Sequence, residues 1–282
     1  MHLELPFSSA SSRERANRKL VRAAKAFYQR ARYATQPEAA KRVVFLAGVP
    51  RSGTNLLMSV LDRNFHTAVF REGDPRAFED FELRPPEVIR RLYHSAHAPL
   101  VVFKALLDAH DLRALGAVYT GPRFIWVFRH YDDVVNSNMR RWSHGNYLDR
   151  LVADPTAAGW RGAGMTAQTL DTVRRHYHAG INQASAQALF WYYRSRLLFD
   201  QSLDRDPACH LIHYEAYVRA PEASTERLCR FLDVPYAPFM IRPVRTSSIG
   251  KDAPPDIEPE VRRLCDGMYA RLLDLVAEPA AA

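Results

Sequence analysis

Long apolar runs are missing from this 282-residue chain. No stretch approaches the length that crosses a bilayer, so an integral membrane protein is not expected, and the first residues, Met1-His-Leu-Glu-Leu-Pro-Phe, carry no secretory h-region. Cysteine is scarce. Cys209, Cys229 and Cys265 are widely spaced, with no Cys-x-x-Cys pair. That spacing argues against a disulfide framework or a bound metal and for reduced thiols in the cytoplasm. Internal repeats are absent too. Acidic residues fall short of basic ones, 31 against 39, and the net charge of +8 favours an anionic partner: a nucleotide, a nucleic acid or a membrane surface. The apolar fraction is ordinary for one substantial core.

One segment dominates what is present. Val43-Val-Phe-Leu-Ala-Gly-Val-Pro-Arg-Ser-Gly-Thr-Asn55 reads as a strand, a tight turn and the start of the helix Leu56–Asn64. Backbone N–H groups of such a turn and the positive end of the helix dipole converge on an anion. A Walker A turn places lysine after its last glycine. Here Gly53 is followed by Thr54 and Asn55, and the cation is Arg51, ahead of the glycine. That shift points to a phosphate donor other than ATP.

Further strands are expected at Thr67–Phe70, Leu100–Phe103, Phe124–Phe128 and His210–His213. Helical patterns fall at Pro86–His94, Ala109–Tyr119, Asp132–Arg141, Asn182–Ser202, Pro221–Leu232 and Pro259–Val276. The alternation predicts an α/β fold, a parallel sheet between helical layers in a P-loop-like three-layer sandwich. Residues 1–41 are expected to form a basic extension whose helix, Arg13–Arg32, packs its stripe of Ala16, Leu20, Ala24, Phe27 and Ala31 on the domain. The domain itself spans 42–278. Its Gly-rich segment 143–180 is expected to be an irregular acceptor-binding insertion or lid.

Each strand runs into a distinctive polar residue: Arg51, then Arg71 and Glu72, then Lys104, Arg129, and Tyr214 with Glu215. Ligands of open parallel sheets bind beyond the strands' carboxyl ends, so these residues should share one crevice. Cations together with a carboxylate there suit a polyanion with a base beside it. After Arg129, Ser137 lies two turns along the following helix, where its hydroxyl can join the arginine fork on a phosphate. The plainer alternatives are that Arg129 pairs with Asp132 or Asp133, and Glu72 with Arg71 or Arg76.

Gly48-Val-Pro-Arg-Ser-Gly-Thr54 resembles the 5′-phosphosulfate loop of sulfotransferases that use 3′-phosphoadenosine 5′-phosphosulfate (PAPS), and Arg129 with Ser137 resembles their 3′-phosphate motif. The likeness runs from about Arg42 to Lys251. Leu211-Ile-His-Tyr-Glu-Ala-Tyr217 with Arg227-Leu-Cys-Arg-Phe-Leu-Asp233 is similar to the tyrosylprotein branch. The resemblance implies that Arg51, Ser52, Gly53, Thr54 and Asn55 grip the 5′-phosphosulfate and that Arg129 and Ser137 hold the 3′-phosphate. It puts Tyr214 near the nucleotide, and Ser247, Ser248 and Lys251 on a loop closing over it. Enzymes acting on phenols and steroids carry a catalytic histidine two residues after the lysine matching Lys104, where this chain has Leu106. The tyrosylprotein and several bacterial branches use a glutamate instead, which makes Glu72 the implied general base, with Asp74 and His110 in reserve. Arg51 and Lys104 complete the implied catalytic set, and no metal is implied.

The expected partner is a small-molecule or carbohydrate acceptor, not a nucleic acid, bound by 143–180 or by the helix carrying Trp191-Tyr-Tyr-Arg194; the oligomeric state is open. Rival readings are a P-loop kinase or other nucleotide phosphotransferase, a basic nucleic-acid-binding protein, and a sulfotransferase fold without catalysis.

Overall fold

The computed structural model describes residues 12–35, 40–141, 147–246 and 249–277, with side chains of the first helix given at 21 and from 23 onward. In chain order the elements are α1 (Ser12–Tyr33), β1 (Arg42–Gly48), α2 (Thr54–Arg63), β2 (Thr67–Phe70), β3 (Phe78–Glu79), β4 (Glu82–Leu83), α3 (Pro86–Ser95), β5 (Leu100–Lys104) and α4 (Leu112–Ala117). They continue with β6 (Arg123–Phe128), α5 (Tyr131–Arg141), α6 (Tyr147–Ala153), a 3₁₀ segment (Pro155–Arg161), α7 (Ala167–His176), α8 (Gln183–Asp200), β7 (Cys209–His213), α9 (Tyr214–Arg219), α10 (Pro221–Leu232) and α11 (Pro259–Asp274).

Five strands form a parallel sheet in the order β2-β5-β1-β6-β7. All five expected strands are present. Their side chains divide with period two between two cores. Val43, Phe45, Val101, Phe103, Trp126 and Phe128 face the layer holding α5, α8 and α11. Val44, Leu46, Val102, Ile125, Val127 and Ile212 face α2, α9 and α10. Both faces are covered, which is why the strands read as unbroken apolar runs. The register sets Leu46 beside Lys104, Gly48 beside Val127 and Phe128 beside His213, so the carboxyl ends finish at one edge.

The segment 143–180 departs from expectation. From 147 onward it is largely helical, with Gly159, Gly162 and Gly164 set in and just after the 3₁₀ segment, between α6 and α7. The glycines punctuate helices; they do not prevent them. Helix α8 is buried around nearly its whole circumference, so Trp191, Tyr192, Tyr193 and Arg194 belong to the core. Arg194 spends its guanidinium on the carbonyls of Trp160, at 2.9 Å, and Leu106, at 3.1 Å.

Helix α1 turns the other way from expectation. Its buried side chains are Lys25 and Gln29, while Ala24, Phe27 and Ala31 are exposed. Lys25 Nζ donates to the Asp62 carbonyl at 2.6 Å, and Gln29 Nε2 donates to the carbonyls of Phe65 and Thr67 at 3.0 and 2.7 Å. Asp62 lies in the last turn of α2, whose final carbonyls have no intrahelical donor and carry the negative end of the dipole. An ammonium satisfies that need; an alanine stripe does not.

Candidate functional site

The site forms where the strands end. β1 finishes at Gly48, where a Cβ would lie 2.2 Å from the Val127 carbonyl oxygen, so only glycine lets the chain leave the sheet there. The turn that follows holds Arg51 at φ 74°, a left-handed conformation a non-glycine residue rarely takes. Gly53, at φ 98°, then starts α2, and a Cβ on it would lie 2.1 Å from the Tyr214 ring. Backbone and ring are therefore in direct apposition. Ser52 and Thr54 are buried, and the Ser52 hydroxyl has no partner among the described residues.

Three of the expected residues meet on the β2–β5 side. The Lys104 ammonium, 1% exposed at the end of β5, contacts a Glu72 carboxylate oxygen and donates to Asn55 Oδ1 at 3.0 Å. Burial lowers the pKa of Lys104, the Glu72 charge opposes that, and the charges of Arg71 and Arg51 add to the lowering. The alternatives raised for Glu72 are not what is seen. Arg71 reaches Ser59 at 3.2 Å and Asp62 at 3.6 Å, and Arg76 is bound bidentately by Asp74. The reserve Asp74 is thus engaged in its own turn. His110 sits beneath Gly164, its Nδ1 3.3 Å from the Leu107 carbonyl oxygen.

On the β6–β7 side the two motifs touch. Arg51 Nε donates to Ser137 Oγ at 2.9 Å. Burial lowers the Arg51 pKa, and the charges of Arg141, Arg129 and Arg140 lower it further. Arg129, 8% exposed, donates to Asp133 at 2.8 Å, sits 3.8 Å from Glu215 and lies over the Tyr214 ring at 4.7 Å. Of the two aspartates considered, Asp133 is the partner; Asp132 binds Arg262 at 3.2 Å. Glu215 is a residue the sequence reading placed at the strand end without a role. Burial pushes its carboxyl up, and hydrogen bonds from His213 and the His130 N–H outweigh that and leave it below its ordinary value.

The chain from 249 to 255 straps onto α5 one helical turn at a time. The Gly250 N–H meets Asp133 at 3.3 Å, Asn136 reaches the Ala253 carbonyl at 3.0 Å, and Arg140 pairs with Asp252. Lys251 is exposed on that strap, and Ser247 and Ser248 lie outside the described residues. Beside it is a cavity of about 290 Å³ whose lining includes Asp132, Asp133, Glu215 and Asp252. Its four carboxylates outnumber its one arginine, Arg219, and suit a phosphate poorly.

The residues therefore divide into an anion cradle with several cations and a carboxylate–ammonium pair at its margin. Buried cations and an unpartnered hydroxyl on adjoining elements suit a multiply charged anion, while the Ser52 N–H donates to the Val49 carbonyl at 3.1 Å. A family model described as "Sulfotransferase family" matches residues 75–238. Among solved structures, the sulfotransferase domain from the curacin biosynthetic pathway is similar at 16% identity and a TM-score of 0.53, covering 81% of this chain and 98% of its own. A sulfotransferase from Alicyclobacillus acidocaldarius is 15% identical over 83% of this chain and 93% of its own, with a TM-score of 0.48. The mouse sulfotransferase SULT7A1, complexed with PAP, is 12% identical over 88% and 89%, with a TM-score of 0.45. No curated protein matches the chain in sequence.

Proposed function

The chain belongs to the sulfotransferase family, and from that membership we propose that it uses PAPS to sulfate a hydroxyl or amine of a small-molecule or carbohydrate acceptor, with Glu72 as general base. The observation that carries the reading is the contact between the two motifs: the loop's Arg51 donates to Ser137, so the elements that would hold the two ends of the nucleotide's phosphates form one surface. The unpartnered Ser52 hydroxyl and the left-handed turn at Gly53 fit a phosphosulfate in the same place.

When bound, PAPS supplies the sulfuryl group, whose sulfur forms a bond to the acceptor oxygen or nitrogen as its bond to the 5′-phosphate oxygen breaks and PAP departs. Glu72 takes the acceptor's proton during that attack, a form of help worth ~10²–10⁴ in rate. Its present contact with Lys104 holds the carboxylate in one orientation. Lys104 is also tied to Asn55, and from that anchor its ammonium reaches the loop where negative charge develops on the leaving phosphate oxygen. Fixed donors of this kind contribute roughly 3–4 kcal/mol each. Arg51, the Ser52 hydroxyl and the N–H groups of Gly53–Asn55 hold the 5′ side, the Ser52 N–H being taken by the Val49 carbonyl at 3.1 Å. Arg129 and Ser137 hold the 3′-phosphate, which competes with Asp133 for the arginine fork. Tyr214 is wedged between Gly53 and Arg129, and its contacts with both support the reading that it lies near the nucleotide.

The chemistry is tested by incubating the protein with ³⁵S-labelled PAPS and a panel of phenols, alcohols, sugars and amines. Label transferred to an acceptor, and lost with Glu72→Gln, supports the reading. Labelled phosphate moving from ATP in its place would favour a phosphotransferase.

A further inference from the structure

We propose that helix α1 docks this protein peripherally on an anionic phospholipid bilayer, through an apolar stripe that the fold leaves facing outward. Amphipathic helices at the edge of an α/β domain ordinarily bury their apolar face. Here the relation is inverted. Lys25 and Gln29, one turn apart, are buried against α2 and the start of β2, and Tyr28 and Tyr33 flank them against Phe65 and His66. Opposite stand Ala24, Phe27 and Ala31, a helical face with Phe27 76% exposed, the most exposed large apolar side chain among the described residues. Arg30 and Arg32 are exposed at its margins.

Charge selects the occupant. The span Ser12–Tyr33 contains eight Lys/Arg residues and a single acid, Glu14. A second copy of the helix seated on this stripe would bring the exposed Arg30 and Arg32 of both copies together, and like charges oppose that pairing unless counter-charge is supplied. An anionic bilayer supplies it. Each basic side chain near such a surface attracts headgroups, while an apolar stripe with one large ring enters the boundary between headgroups and acyl chains. Among the described residues no helix is long and apolar enough to cross a membrane, so the mode is adsorption in the interface plane. The orientation is compatible with turnover. Thr67, where α1 is pinned, starts β2 beside Leu100 at the start of β5, so α1 meets the amino ends of the strands, and the cradle lies beyond their carboxyl ends. A docked enzyme keeps its cleft away from the contact.

The test is co-sedimentation of the full chain with vesicles of equal parts phosphatidylglycerol and phosphatidylcholine, against phosphatidylcholine alone. Wild type should sediment with the anionic vesicles and not with the neutral ones. Phe27→Ser should raise the apparent Kd about tenfold or more, with Phe27→Leu close to wild type, because burying a large apolar side chain is worth about that factor. Thermal unfolding should be unchanged in both variants, since Phe27 touches little of the fold. Absence of binding to anionic vesicles overturns the proposal. So does Phe27→Ser binding as well as wild type, which would mean adsorption by net charge alone, or a concentration-dependent dimer that Phe27→Ser dissolves.

Discussion

Arg51 and Ser137, separated by 86 positions in the chain, are joined by a hydrogen bond of 2.9 Å from the guanidinium Nε to the hydroxyl. One lies in the turn after β1, the other two turns into α5. Because β1 and β6 are sheet neighbours with Gly48 beside Val127, the loop and the helix that follow them face each other across a single gap. Arg129 stands at the same gap, with its fork held by Asp133. The predictions below start from that arrangement.

Arg129→Ala should weaken ligands bearing a 3′-phosphate by about 10- to 100-fold, the worth of hydrogen bonds to a charged group. Ligands without that phosphate should lose little. Titration calorimetry with PAP and with adenosine 5′-phosphate checks this, and equal losses for both would show that Arg129 serves the fold and not the 3′-phosphate. Asp133→Asn should act in the opposite sense, tightening PAP binding by freeing the fork from a competing carboxylate.

Glu72→Gln should lower the transfer rate by ~10²–10⁴ while leaving PAP affinity within a few-fold of wild type. The amide oxygen still accepts from Lys104, so the fold is kept and the loss falls on kcat. Single-turnover transfer gives the rate and calorimetry the affinity. A variant with near-normal rate would exclude Glu72 as the base.

Gly53→Ala should destabilise the protein by about 1–3 kcal/mol, because the added methyl meets the Tyr214 ring and the residue holds φ 98°. Part of that cost is steric and part is conformational. Tyr214→Ala removes the steric part, so denaturant unfolding of the double variant should show a coupling of about 1 kcal/mol or more between the two sites. Strict additivity would mean that the ring does not press on the turn.

Acid should destabilise the fold through His210. Burial lowers its pKa from 6.5 to about 4, with the Arg227 charge adding to the effect, and its ring stacks on Phe231 at 5.0 Å. The folded state therefore disfavours the proton that the unfolded chain accepts. The resulting stability is fully present above pH 6.5 and is lost as the pH falls towards 4, by up to about 3 kcal/mol. His210→Phe should flatten that portion of the stability–pH curve measured by urea unfolding, and an unchanged slope would contradict the assignment.

The strands were legible because both faces of the sheet are covered, which turns each strand into a short apolar run such as Leu100–Phe103. Their ends were legible for the same reason: the first polar residue after each run marks the rim. The two-residue strands β3 and β4 offer no periodicity to detect, and in the insertion the glycines outweighed the helical patterns of Tyr147–Ala153 and Ala167–His176. The face of α1 was misread because apolar spacing says which residues align, not what they meet. Lys25 supplies the donor for the Asp62 carbonyl at the end of α2, and Gln29 those for the Phe65 and Thr67 carbonyls, a requirement visible only once α2 and β2 are in place. Likewise Lys104 and Glu72 each stood out as strand-end residues, but their contact, and Asn55 as its third member, depends on β5 lying between β1 and β2.

The central claim, that the cradle is built for a nucleotide with both a 5′- and a 3′-anion, is tested most directly by thermal unfolding with PAP, ADP and Mg²⁺–ATP in parallel. At a concentration ~100 times its Kd, PAP should add about 2.7 kcal/mol of stability and raise the Tm accordingly. ADP and Mg²⁺–ATP at the same concentration should add much less. A Tm raised as far by Mg²⁺–ATP as by PAP, or by neither, would contradict the account.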